Sequence, residues 1–246
     1  MTEVKGRGFI LRVVPGQDAD VIVRILTAQG EKLSAFAKAG LKSRKRFAGS
    51  LQPLLNIEFQ ARKKASQELF FLKEASIRHE FPLLRGDIER LAAASYAVEL
   101  IDHSAQEGLE HPELYNLLGA GLKAFEVSKA LPSVLRQFEV KLLAVHGWLP
   151  TFHRCGQCHE AHEVLYLDAH HGVVTCSACG RSPHEISHAI RNILSGFLTM
   201  PLAQNSAGSQ EVKLLEPLTQ ALLQIHLGHQ KLKSVQFWGG LRRFQK

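Results

Sequence analysis

The sequence predicts an α+β chain of two domains: a small barrel of five strands over residues 1–80, then a helical domain over residues 81–246 that carries a four-cysteine insertion at about 151–181. Three observations lead there. Apolar residues alternate with a period of two as far as Ser76, the period lengthens to about 3.6 past Phe81-Pro82, and all four cysteines fall in two Cys-x-x-Cys pairs. A chain of 246 residues buries roughly 70% of its unfolded surface, so its core needs no disulfide staples.

The strands follow in order, each bounded by breakers. Phe9 to Val14 stops at Pro15-Gly16, and Asp20 to Ala28 sets Val21, Val23 and Ile25 against Ile22, Arg24 and Leu26 before Gln29-Gly30. Lys32 to Lys38 carries Leu33, Ala35 and Ala37 on one face, Leu54 to Ala61 carries Leu55, Ile57 and Phe59, and Glu68 to Glu74 completes the set. Five strands in about 70 residues with no helix between them point to an OB-fold barrel, with an SH3-like barrel as the structural rival. The helices Leu83–His103, Pro112–Val127 and Pro132–His146 follow, the third ending at Gly147-Trp148-Leu149-Pro150. Beyond the cysteines, with short β-like pieces at Val164–Asp168 and Gly172–Thr175, two more helices span Pro183 to about Thr199 and about Gln210 to Lys231.

Charge is distributed unevenly. Residues 1–75 hold 14 Lys/Arg against 7 Asp/Glu and residues 76–246 hold 16 against 16, so the whole excess of +7 lies in the first third. A positive field confined to the barrel favours a polyanionic partner, nucleic acid before an acidic membrane surface. No segment approaches the roughly 18 apolar residues of a membrane span, and Met1-Thr2-Glu3-Val4-Lys5-Gly6 lacks the apolar stretch of a signal peptide, which predicts a cytoplasmic protein.

Cys155-x-x-Cys158 and Cys176-x-x-Cys179, with 17 residues between the pairs, have the spacing of a four-cysteine zinc knuckle or ribbon. Four thiolates close the shell of one ion, so the expected role is structural; His153, His159, His162, His170 and His171 stand outside it. His184-Glu185-Ile186-Ser187-His188 formally matches the His-Glu-x-x-His helix of zinc proteases. The competing reading makes Ser182 an N-cap, Pro183 the first helical residue and Glu185 the partner in a capping box, with Ile186, Ile190, Ile193 and Phe197 facing the core. The zinc deaminase pattern, the nucleotide-cradling loop Gly-x-x-x-x-Gly-Lys-Ser/Thr and the dinucleotide fingerprint are all missing, so the residues favour a binding protein over an enzyme.

Between the third and fourth strands, Lys38, Lys42, Arg44, Lys45 and Arg46 place five cations within nine residues, and Arg62-Lys63-Lys64 form a second cluster in the turn before the fifth strand. Arginine forks and lysine point charges on a glycine-bearing loop suit phosphate contact, and Phe36 and Phe47 are candidate stacking faces or core residues. The tail turns basic at Lys231, Lys233, Arg242, Arg243 and Lys246, beside Phe237-Trp238-Gly239-Gly240.

Taken together these residues carry a resemblance. Gly8-Phe9-Ile10-Leu11, Asp20-Val21-Ile22-Val23, Leu26-Thr27 with Gly30-Glu31-Lys32, Ala37-Lys38-Ala39-Gly40-Leu41-Lys42 and Ser50-Leu51-Gln52-Pro53-Leu54 resemble the bacterial RecO family of DNA repair proteins. Phe81-Pro82-Leu83-Leu84, the run from Leu135 to Leu143, Gly147-Trp148-Leu149-Pro150 and the two cysteine pairs extend the likeness over most of the chain. The resemblance implies an N-terminal OB-fold, a helical domain with a zinc finger, and a non-enzymatic recombination mediator in the cytoplasm, associated with the nucleoid. Such a mediator binds single- and double-stranded DNA, anneals complementary strands and, with RecR, helps RecA replace the single-strand binding protein. It also implies that the helical domain receives the acidic, hydrophobic C-terminal tail of that protein, with Arg136 the candidate contact. A zinc-ribbon transcription or ribosome-associated factor that binds RNA is the alternative.

Overall fold

Strand pairing fixes the architecture of the first part of the chain. In the computed structural model, which describes residues 1–168, 171–205, 208–228, 232 and 234, the five strands are β1 (Thr2–Pro15), β2 (Val21–Thr27), β3 (Lys32–Ala37), β4 (Asn56–Lys63) and β5 (Phe70–His79). β1 pairs antiparallel with β4 over its first half and with β2 over its second, β4 pairs antiparallel with β5, and β5 runs parallel to β3. The order β1-β2-β3-β5-β4 therefore closes on itself, the five-stranded barrel of an OB-fold.

β1 changes partners at Gly8, which faces Thr27 of β2 and Ile57 of β4. A Cβ there would lie 2.4 Å from Ile25 Cγ2 and 2.8 Å from the Leu26 carbonyl oxygen, so only glycine lets the strands close at this corner. Gly30 turns β2 into β3 with φ +80°, and a Cβ on it would lie 1.7 Å from the His111 carbonyl oxygen. Inside, Ile10, Val21, Val23, Ile25, Leu33, Ile57 and Leu72 fill the barrel, joined by Phe47 and Leu51 from the connection between β3 and β4.

Two strands outrun their expected lengths. β1 begins at Thr2 instead of Phe9, and β5 runs on from Glu74 to His79. Both additions are mostly exposed polar residues, whose ladder hydrogen bonds rather than apolar alternation keep them extended.

The expected helix over 83–103 is broken into α1 (Pro82–Arg85) and α2 (Ile88–Ser104). Asp87 makes the break by accepting from the amides of Glu89 at 2.9 Å and Arg90 at 3.2 Å as the N-cap of α2. Asp102, buried near the end of α2, fastens this helix to the barrel: its carboxylate meets Arg12 Nε at 3.3 Å and Arg24 Nη1 at 3.1 Å, and its carbonyl accepts from Lys32 Nζ at 2.8 Å. Burial pushes the Lys32 amine below its ordinary range despite the nearby carboxylate. With α3 (Pro112–Val127), these elements form one compact unit as far as Glu126, which Leu232 and Ser234 rejoin.

Residues 127–231 form the other unit. α4 (Leu131–Val145) packs against α5 (His188–Thr199) and α6 (Ser209–Leu227), and β6 (Leu165–Asp168) lies between β7 (Val173–Thr175) and β8 (His184–Ile186) in a three-stranded sheet. Gln137 and Lys141 of α4 satisfy the terminal carbonyls of α5, Gln137 donating to Phe197 and Met200 at 3.0 and 2.6 Å and Lys141 to Leu198 at 2.8 Å.

The expected start of α5 is corrected. His184, Glu185 and Ile186 pair with Leu167, Tyr166 and Leu165 of β6, and the Ser182 hydroxyl donates to the Leu167 carbonyl. Ser187 is the N-cap, accepting from the Ile190 amide at 3.4 Å, so the helix begins at His188. Pairing with β6 outweighs the capping signal at Ser182 and Pro183, because a third strand buries Ile186 on the sheet.

Candidate nucleic-acid interface and metal centre

The basic loop leaves β3 at Lys38 and is pinched shut at its base. The Arg46 guanidinium donates to the Lys38 carbonyl, its Nε donates to Ser43 Oγ at 3.2 Å, and the Ala75 amide of β5 donates to the Arg46 carbonyl at 2.9 Å. Phe47 is 1% exposed and belongs to the core, with the Arg46 guanidinium 4.8 Å from its ring centroid. Phe47 therefore offers no face to a base, and Arg46 serves as the clasp of the loop. Lys38, Lys42, Arg44 and Lys45 are exposed on it, and none forms an ion pair among the described residues.

Arg62 and Lys63 do not lie in a turn; they end β4, and Lys64 follows them. Strand register puts Phe36 of β3 beside Phe71 of β5, and Phe71 beside Arg62 of β4. The two rings stand 6.5 Å apart between centroids, the Arg62 guanidinium is 5.6 Å from the Phe71 ring, and Lys63 Nζ is 5.3 Å from the Phe70 ring. Phe36, Phe71 and Arg62 form a partly exposed aromatic shelf edged by a cation, the arrangement on which an unpaired base stacks while its phosphate meets a charge, whereas Phe70 packs against the barrel core. Phe70 and Phe71 were not singled out in the sequence. Their signal was an aromatic pair opening a strand a few residues beyond a basic cluster.

The second candidate centre lies around β6 and β7. The Cys155–Cys158 turn precedes β6 and the Cys176–Cys179 turn follows β7, which brings all four sulfurs within 4.8 Å of one another. A tetrahedral thiolate shell with metal–sulfur bonds of about 2.3 Å needs sulfurs about 3.8 Å apart, and Cys158 Sγ and Cys176 Sγ stand at 3.9 Å. The residues fit a metal ion. Cys155 is buried and accepts from the amides of Cys158, Gln157 and Cys176 at 3.5, 3.4 and 3.3 Å. Those amides, the Cys158 amide foremost, bring its thiol down to about 6, whereas the hydrogen bond that the Cys179 thiol donates to Cys176, together with burial, pushes Cys179 up to about 12. A cation would take the place of the protons that four crowded thiols otherwise share. His162 Nε2 is 3.5 Å from Cys158 Sγ, beside the four sulfurs.

Against this geometry, the family description "Recombination protein O N terminal" matches residues 1–81 and "Recombination protein O C terminal" matches residues 85–236. The chain belongs to the recombination protein O family. Its RecO relatives include a DNA repair protein RecO of Anaeromyxobacter dehalogenans strain 2CP-C, 32% identical over 237 residues that cover 93% of each chain. Those of Pelobacter propionicus and Myxococcus xanthus are each 31% identical, covering 95% of each chain in the first case and 93% of this chain and 94% of the relative in the second.

The family's DNA repair role gives no use to the His-Glu-x-x-His match, and geometry dissolves it: His184 lies in β8 and His188 opens α5, so the two do not share a helical turn. Arg136, the candidate contact for the acidic tail, is 4% exposed. Its guanidinium donates to Glu139 and to Thr219 Oγ1 at 2.8 Å and pairs with Glu216 at 3.2 Å, which ties α4 to α6. No helix among the described residues is long and apolar enough to cross a membrane. The basic tail residues Lys231, Lys233, Arg242, Arg243 and Lys246, with Phe237-Trp238-Gly239-Gly240 and His170, lie outside the described residues.

Proposed function

We propose that this RecO-family chain is a DNA-binding recombination mediator without enzymatic activity of its own. It holds single strands on the barrel, anneals complementary strands and, with RecR, helps RecA replace the single-strand binding protein. The observation that carries this reading is the juxtaposition of unpaired, exposed cations on the clasped loop with the Phe36–Phe71–Arg62 row on the same barrel. Annealing demands a protein that grips backbones and leaves base edges free to find their complement. Lys38, Lys42, Arg44 and Lys45 supply charge without a base-reading framework, and the shelf favours unpaired bases of any identity. Arg62, Lys63 and Lys64 extend the charge along the rim of the shelf.

Cys155, Cys158, Cys176 and Cys179 are assigned to one zinc ion. When bound it supplies a closed, structural crosslink, because four thiolates leave no position for a substrate. Contact with the acidic tail of the single-strand binding protein belongs to the same proposal. The Arg136 charge is already paired with Glu139 and Glu216, so other cations would have to meet the carboxylates of that tail.

Replacing Phe36 and Phe71 together by alanine tests the shelf. Fluorescence anisotropy should show single-strand affinity falling about tenfold or more, since a stacked base contributes about 1 to 3 kcal/mol, while duplex affinity changes less than about twofold. Equal loss on both DNA forms would mean that the rings support the fold and contact no base. Preference for a structured RNA over single-stranded DNA would favour the RNA-binding alternative.

A further inference from the structure

The polar halves of β1 and β5 meet α3 across a cleft of about 670 Å³ that lies outside the loop and the shelf. Its floor is closed: Phe9 and Phe81 are each 4% exposed, the Phe9 and Tyr115 rings stand 4.9 Å apart between centroids, and the Asn56 amide donates to the Tyr115 hydroxyl at 2.9 Å. The Tyr115 ring is thereby held at the cleft wall by a tilted ring contact, 45° between planes, and a hydrogen bond. On α3, Gly119 and Ala120 leave the wall low, and a Cβ on Gly119 would lie 3.4 Å from Phe9 Cζ.

The rim is cationic. Arg7 of β1 and Lys123 of α3 are exposed and form no ion pair among the described residues, and Arg78 of β5 has only an exposed partner, Glu58 at 3.0 Å. An exposed pair of that kind exchanges readily for a phosphate. Arg7 and Arg78 also line the neighbouring groove that reaches Lys45 and Arg46 at the foot of the loop. Along β5 the shelf residue Phe71 and Arg78 are seven residues apart, about 23 Å.

We propose that this cleft is a second nucleotide subsite, in which Arg7 and Lys123 hold backbone phosphates and Tyr115, with His79 across from it, receives an unpaired base. The subsite extends one single-stranded DNA track from the shelf, past the loop, onto α3. This inference rests on the reading of the loop and shelf as a DNA surface. Nucleic acid is favoured over an acidic peptide because the rim continues that surface and the open wall offers an aromatic edge and amides in place of a deep apolar floor.

The test uses the full chain and oligothymidylates of two lengths, about six and about fifteen nucleotides, spanning the lower range and the upper range of an OB-fold's site size. Arg7→Ala/Lys123→Ala should bind the short strand within about twofold of the unsubstituted chain and lose about tenfold on the long one. Its salt slope should fall by about 1.4 on the long strand only, two contacts at about 0.7 each. A photoreactive base placed near one end of the long strand should crosslink to Tyr115. Equal losses on both lengths, no loss on either, or a crosslink that never reaches α3 would overturn the subsite and leave the loop reading standing. Binding of an acidic apolar peptide, lost in the same variant while the long strand binds unchanged, would reassign the cleft to a protein partner. Failure of the unsubstituted chain to bind either strand would overturn both readings together.

Discussion

Glu139→Ala should cost the second unit about 3 kcal/mol, because it leaves the Arg136 guanidinium, buried between α4 and α6, with the part-exposed Glu216 as its remaining carboxylate. The Arg136 and Glu139 side chains are 5% and 1% exposed, and Glu139 also accepts from Thr219 Oγ1 at 2.8 Å. The other carboxylate on the same arginine provides the control. Glu216 is 36% exposed, so solvent screens its charge and replaces it when it is lost, and Glu216→Ala should cost less than about 1 kcal/mol. Thermal melting separates the two, since a unit of about 100 residues shifts by several degrees per kcal/mol. Comparable melting temperatures for both variants would show that Arg136 draws its stability from elsewhere.

Loss of the proposed zinc should have a still larger local effect. Structural zinc contributes about 10 to 16 kcal/mol of apparent binding energy in small finger peptides, and the three-stranded sheet here is too small to hold itself together. Cys155→Ser, or chelation, should abolish hydrogen-exchange protection in β6, β7 and β8. It should also loosen α5, whose Arg191 donates to the carbonyls of His162 at 3.0 Å and Glu163. The barrel should keep its protection. One zinc per chain by elemental analysis, released together with that protection, is the expected result; a sheet that stays protected after complete chelation would make the cysteine cluster dispensable.

What the sequence made legible followed the apolar pattern. The strands around Val21–Ala28 and Lys32–Lys38 alternate cleanly, and the cysteine spacing brought together four sulfurs that the fold does cluster. Thr2–Arg7 and Ser76–His79 escaped because their outward residues are polar and their extension depends on neighbours remote in sequence: Lys5 faces Gln60, and Glu58 faces Ser76. Those same segments carry Arg7 and Arg78, so the missed strands and the missed cleft have one cause. Arg46 and Phe47 show the converse limit. A run of five cations looks uniform in sequence, but one of them closes the loop and the aromatic next to it plugs the barrel. The Ser182–Glu185 capping signal was sound local chemistry, outweighed by a strand pairing that only the folded chain supplies.

The central claim is that the barrel grips DNA by its backbone through the clasped loop. Lys42→Ala/Arg44→Ala/Lys45→Ala removes the three outermost cations and spares Arg46, so the loop keeps its hydrogen bonds to Lys38 and Ser43. The decisive measurement is the salt dependence of single-strand affinity across sequences of different composition. The account predicts a uniform loss of affinity and a slope of log affinity against log salt flatter by about 2, three contacts at about 0.7 each. An unchanged affinity and slope would contradict it and move the nucleic-acid surface off the barrel loop.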